Sequence, residues 1–142
     1  MGIAVCWFGI AAAGTLTNDE NPTIVHFSGH GHQEGIMLQD EIGEPKIVTS
    51  DALTSLFKLF KDTIKCVVLN SCYSELQAQA IKSYIPHVIG MKSGIPDRAA
   101  IAFSVGFYKA IGARRDIPFA FELGVTAIKL DGIPDDDIPI LY

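Results

Sequence analysis

Charge is scarce in this chain, and cations are missing from its first third: no Lys or Arg precedes Lys46. Only 19% of the 142 residues are charged, with 11 basic against 16 acidic for a net charge of -5. Six of the acids fall within residues 1–45 and four within residues 131–142, so any basic excess is confined to the middle. A phosphate-tracking surface needs clustered cations, which excludes nucleic acid as a direct ligand. Cysteine is also sparse. The three thiols, Cys6, Cys66 and Cys72, cannot all pair with one another, and their spacing suits neither a zinc site nor a secreted disulfide scaffold. Reduced thiols and a cytoplasmic protein are the expectation. The apolar stretch at residues 3–13 is too short to span a bilayer and no positive residue precedes it, so neither a membrane anchor nor an export signal is expected. Repeats, heptads and low-complexity blocks are absent, which excludes solenoids and coiled coils.

What is present is apolar: 49% of residues are hydrophobic, in a length that suits one domain spanning residues 1–142. Short β-rich runs alternate with one-sided helical stripes, the pattern of an α/β sheet with crossover helices. Residues 23–28 (TIVHFS) read as a buried strand between Pro22 and Gly29. Residues 36–38 and 46–48, joined by an acidic turn with Gly43 and Pro45, read as a hairpin. Ser50 or Asp51 can cap a helix whose stripe is Leu53, Leu56, Phe57 and Phe60. CVVL at residues 66–69 has the continuous apolar character of a strand buried on both faces. Ser74 and Gln77 form a capping-box pattern opening a helix that stops near Pro86, and residues 88–91 are a further strand. Two helices follow. The first, residues 97–110, turns Ala100, Phe103, Phe107 and Ile111 to one side, and the second, capped by Asp116, turns Ala120, Leu123, Ala127 and Ile128 inward. The acidic tail at residues 131–142 is expected to be extended or frayed.

Two turns carry the chemistry. Ser28-Gly29-His30-Gly31 follows TIVHF directly, and Asn70-Ser71-Cys72 follows CVVL. In a parallel sheet the carboxyl ends of neighbouring strands form one rim, where an imidazole and a thiol could meet as base and nucleophile. Gly31 leaves its backbone N–H unobstructed, and with the N–H of Cys72 it could form an oxyanion site. A helix N-terminus just after Cys72 favours the thiolate. Cys66, at the start of an apolar run, reads instead as a buried small hydrophobe.

HFSGHG, followed about forty positions later by LNSC, resembles the caspase-like cysteine peptidases of clan CD, and within them the bacterial CHAT domains. The hairpin IMLQDEIGEPKIV, the stretch PHVIGMKSGIPDRAAIAFSVGFYKAIG and IPFAFELG are similar to the same family in order and spacing, so the resemblance covers residues 23–128. It implies a caspase-like three-layer α/β/α sandwich with a mostly parallel central sheet. It also implies a cysteine endopeptidase with His30 as catalytic histidine, Cys72 as nucleophile and Gly31 at the oxyanion site. No metal or organic cofactor is implied. Asn70 is the substrate-pocket candidate: where metacaspases commonly place an Asp that binds a basic P1 side chain, this sequence has a neutral amide, and no Arg matches the pocket by which caspases hold an acidic P1 residue. The region before HFSGHG is shorter than usual, so the sheet is expected to lack its usual N-terminal strand and helix, although residues 3–10 could supply one strand. Expected partners are a protein or peptide substrate and a regulatory protein, or self-association through the N-terminal sheet edge. The competing reading is a truncated, inactive CHAT-like binding or scaffold module.

Other readings of these residues are weaker. His26, His30 and His32 share a face by parity, yet Gly29 and Gly31 break the strand a metal site would need. His26, between Val25 and Phe27, reads as a core histidine with a satisfied ring, and His32 as solvated or at the cleft mouth. Gly29, Gly31 and Gly35 are spaced one residue too long for a dinucleotide loop and lead into a hairpin, not a helix. Phe103, Phe107 and Tyr108 read as core, and Arg114-Arg115 as an exposed turn.

Overall fold

The computed structural model describes residues 3–7, 22–40 and 42–142, with the backbone alone for residues 3–7. Among the described residues, the main sheet has five strands in the order β1-β2-β6-β7-β8. These are β1 (Ile3–Trp7), β2 (Ile24–Ser28), β6 (Cys66–Asn70), β7 (His87–Met91) and β8 (Pro139–Leu141). The first four run parallel and β8 is antiparallel to β7. A second sheet of three antiparallel strands, β3 (Gly31–His32), β4 (Gly35–Gln39) and β5 (Pro45–Val48), contains the expected hairpin and adds a short strand from the His30 turn.

Period-two alternation sorts the central strands onto two helical layers. Val25 and Phe27 of β2 and Val67 and Leu69 of β6 face one core, shared with Leu53 and Phe57 of α1 (Ser50–Leu59) and Ala78 and Ile81 of α2 (Glu75–Ile81). Ile24, Cys66 and Val68 face the other, shared with Phe103 and Phe107 of α3 (Asp97–Gly112) and Ala120 and Ile128 of α4 (Ile117–Leu130). This is the caspase-like α/β/α sandwich. Phe57, Phe103 and Phe107 are wholly enclosed, each contributing roughly 1.5–3 kcal/mol of hydrophobic stabilisation. The backbones of α3 and α4 meet at Gly106 and Gly124: a Cβ on the former would lie 2.6 Å from the carbonyl oxygen of Leu123.

Local expectations are refined at the helix ends. Thr49, not Ser50 or Asp51, caps α1, its Oγ1 accepting from the N–H of Ala52 at 3.3 Å. Asp116 caps α4 as expected, accepting from the N–H of Phe119 at 2.9 Å. The capping box at Ser74 does not form. Its hydroxyl donates to the carbonyl of Leu69 at 2.8 Å and accepts from the N–H of Met91 at 3.0 Å, tying the end of β6 to β7. Gln77, with its amide nitrogen donating, serves the carbonyls of Tyr73 and Ser74 at 3.2 and 3.3 Å.

At both chain ends the structure decides between the alternatives. The N-terminal strand is present: β1 pairs with β2 from Ile3↔Ile24 to Trp7↔Ser28, while a helix in residues 8–21 would lie outside the described residues. The C-terminal tail does not fray. Ile138 and Pro139 are buried and β8 completes the sheet against β7, because three apolar residues after the acidic run supply an edge strand. No helix among the described residues is long and apolar enough to cross a membrane.

Candidate active site

The strands β2 and β6 pair in register from Ile24↔Cys66 to Ser28↔Asn70, so their following turns leave the sheet side by side. His30 and Cys72 each stand two residues beyond that last pair. The turns touch through their backbones. A Cβ on Gly31 would overlap the carbonyl oxygen of Cys72 and lie 3.0 Å from its nitrogen, so only glycine fits there.

Each turn is fixed locally. The carbonyl of His30 accepts from the N–H of Met37 at 3.1 Å, and this bond brackets Gly31↔Ile36 as a pair whose own N–H groups stay outside the ladder. On the other side, Tyr73 adopts a left-handed φ of 59° and its N–H donates to the carbonyl of Ser93 at 3.2 Å. The chain thereby bends sharply from β6 into α2. Among the described residues, neither the N–H of Gly31 nor that of Cys72 has a hydrogen-bond acceptor.

The side chains are less closely joined than the backbones. His30 is exposed and Cys72 half-buried, and no hydrogen bond links them. The Cys72 sulfur instead accepts from the N–H of Ile95 at 3.4 Å and lies 3.8 Å from the carbonyl oxygen of that residue. Cys66 is a different thiol: it is free but completely buried, and burial pushes its pKa up to about 12. The side chain of Cys6 lies outside the described residues.

The remaining histidines do not converge. His26 is buried beneath α3, its Nδ1 2.7 Å from the hydroxyl of Tyr108, and burial lowers its pKa to about 4. That agrees with a satisfied core histidine. His32 is exposed and accepts from the N–H of Glu34 at 3.4 Å. No three His, Cys, Asp or Glu side chains gather into a metal-holding group among the described residues.

Asn70 is buried, and its amide nitrogen donates to the carbonyl of Ala100 at 3.1 Å and to Ser104 Oγ at 2.9 Å. It lines a hollow of about 600 Å³ between the β2–β6 face and α3. Ser28, Asp97, Ser104 and Tyr108 line the same hollow, and sequence spacing alone singled out none of them for that role. For the lining residues on α3 the signal is the i, i+4 and i+7 recurrence of Asp97, Ile101 and Ser104 on one helix face.

Over residues 11–120 the chain matches the CHAT domain. It belongs to the CHAT domain family. The match takes in both turns and ends within α4, and the fold described above is the one that the family resemblance implied. The CHAT domain is 27% identical to a "Roc-COR-CHAT protease" from an unknown prokaryotic organism, over 81% of this chain and 12% of that protein. It is 25% identical to a "Probable protease" from Gillisia limnaea, over 82% of this chain and 22% of that protein. This CHAT domain therefore spans less than a quarter of either relative.

Proposed function

We propose that this CHAT domain is a cysteine endopeptidase acting through Cys72 and His30. The observation that carries the reading is the contact of Gly31 with the Cys72 backbone, beyond two strands paired in register. His30 takes the thiol proton as the Cys72 sulfur bonds to a peptide carbonyl carbon. The resulting oxyanion accepts from the unpaired N–H groups of Gly31 and Cys72. Collapse expels the amine, which takes the proton from His30, and leaves a thioester. Water, deprotonated by His30, then releases the acid and restores the thiol. Asn70 belongs to the pocket for the residue preceding the scissile bond. The protease names of both relatives support the reading, and the free thiols Cys66 and Cys72 suit a reducing, cytoplasmic setting.

One observation favours the rival reading of an inactive docking module: the sulfur is held by Ile95 and not by His30. Closing the pair requires the sulfur to rotate from Ile95 toward the imidazole, a step that substrate or a regulatory partner pairing along the β1 edge could drive. Alkylation by a peptide electrophile separates the readings. Active enzyme should react at Cys72 far faster than at Cys66, and at least tenfold faster in the wild type than in His30→Ala. Equal rates at the two thiols, or none at either, would establish the docking module.

A further inference from the structure

The small sheet carries the His30 turn, and its two faces are used unequally. The pairs Gly31↔Ile36 and His32↔Gly35 set the β3–β4 register, and the bond from the Met37 N–H to the His30 carbonyl extends it by one residue. Met37 in turn pairs with Ile47 on β5. His30, Met37 and Ile47 therefore form one row across the sheet, and residues opposite one another in a ladder share a face. The alternate residues Ile36 and Leu38 are buried against Leu53 and Phe57, with Val48 packed beside them. The face bearing His30 is left uncovered among the described residues: Met37 is half-buried, Ile47 is 38% exposed, and neither joins a core. The Ile47 Cγ2 methyl lies 2.8 Å from where a Cβ on Gly35 would stand, so its side chain leans over this face beside the His32↔Gly35 pair.

The turns that bound this face carry exposed Glu34 and Glu44. Lys46, the first Lys or Arg in the sequence, pairs with Leu38 and so belongs to the opposite face. Neighbouring strands are about 4.8 Å apart, which puts Met37 about 5 Å and Ile47 about 10 Å along the row from His30. An extended peptide rises about 3.3 Å per residue, so roughly three residues cover the row.

Resting on the endopeptidase reading, we infer that Met37 and Ile47 form the subsite for the leaving side of the substrate and select an apolar side chain at the second or third residue after the scissile bond. The departing amine takes its proton from His30, so the segment that it begins starts at the head of the row. From there Met37 and then Ile47 are the apolar surface it meets, and contact with them removes that surface from water. The flexible thioether of Met37 adapts to side chains of different shape, which makes the class apolar and not one residue type. An acidic side chain at these positions would meet Glu34 and Glu44 at the margins of the face.

The test uses the 142-residue chain and a mixture of synthetic peptides of varied sequence, with Cys72→Ala as the blank. Mass spectrometry of the new amino termini reads the residues on the leaving side of each cut. Leu, Ile, Val, Met or Phe should predominate at the second or third position, and Asp and Glu should be depleted there. Paired peptides with Leu or Ser at the preferred position should then differ about tenfold in kcat/KM, the scale of a small apolar contact. Ile47→Ser should abolish this difference, whereas Ile42→Ser, at the exposed hairpin tip outside the row, should keep it. Cuts with no apolar preference on the leaving side, or a preference that survives Ile47→Ser or is lost equally in Ile42→Ser, overturn the subsite and leave the peptidase reading standing. Cleavage that does not exceed the Cys72→Ala blank overturns both.

Discussion

Gly31 and Cys72, 41 positions apart in the chain, are in backbone contact, and the space between them admits no side chain. This contact places the two candidate reactive turns on one lip of the sheet.

A methyl group at that point is therefore expected to separate the turns. Gly31→Ala should lower stability by about 1–3 kcal/mol, the usual range for overpacking against a rigid neighbour. It should also slow peptide-electrophile labelling of Cys72 at least tenfold, measured alongside a denaturant titration. A variant that keeps wild-type labelling would show that this close approach is dispensable for reactivity.

The buried His26 gives the domain a pH-dependent stability. Its folded pKa is about 4 because burial disfavours the charged ring, and the unfolded value is about 6.5. The unfolded chain thus binds the proton more readily in the window between them. Stability is complete above about pH 6.5 and is lost as pH falls toward 4. Between pH 7.5 and 5.5 the expected loss is about 1 kcal/mol. Urea titrations at both pH values should show this in the wild type and a much smaller change in His26→Asn. Equal slopes would mean that His26 titrates alike in both states.

Ser74 holds the floor of the site. Its hydroxyl serves Leu69 at the end of β6 and Met91 at the end of β7, and both bonds are buried. Ser74→Ala leaves a backbone N–H and a carbonyl unpaired, and the expected cost is about 2 kcal/mol. Ser74→Thr should recover part of it. Thermal melts of the two variants against wild type check the order.

The tail contributes to the same architecture. The carbonyl of Ile138 accepts from the N–H of Lys92 at 3.0 Å, and its side chain is buried beneath α4. Ile138→Ala should cost about 2–4 kcal/mol as a cavity in the core. Because Lys92 opens the loop that carries Ile95, amide exchange at Ile95 should quicken too. An unchanged melting midpoint would return the tail to a surface appendage.

The α/β class, the helix stripes and the two motif turns were legible in the sequence because each depends on local periodicity or on a few adjacent residues. TIVHF and CVVL specify strands by being apolar and β-rich, and strand ends specify where His30 and Cys72 leave the sheet. Non-local facts were not legible. Ser74 matches a capping box by spacing but bonds across strands, since the nearby Met91 N–H and Leu69 carbonyl outcompete its own helix terminus. The acidic tail looked unanchored because nothing local shows that β7 has a free edge to receive it.

Sequence alone thus determined the two motif turns and the strand ends from which they leave, because backbone propensity and side-chain pattern act over a few residues. Tertiary structure decided what those residues touch: Gly31 against Cys72, the sulfur against Ile95, and Asp97 at the mouth of a hollow floored by Asn70. Those relationships arise from strand register and from α3 packing across β2 and β6, and no stretch of neighbouring residues encodes either one by itself.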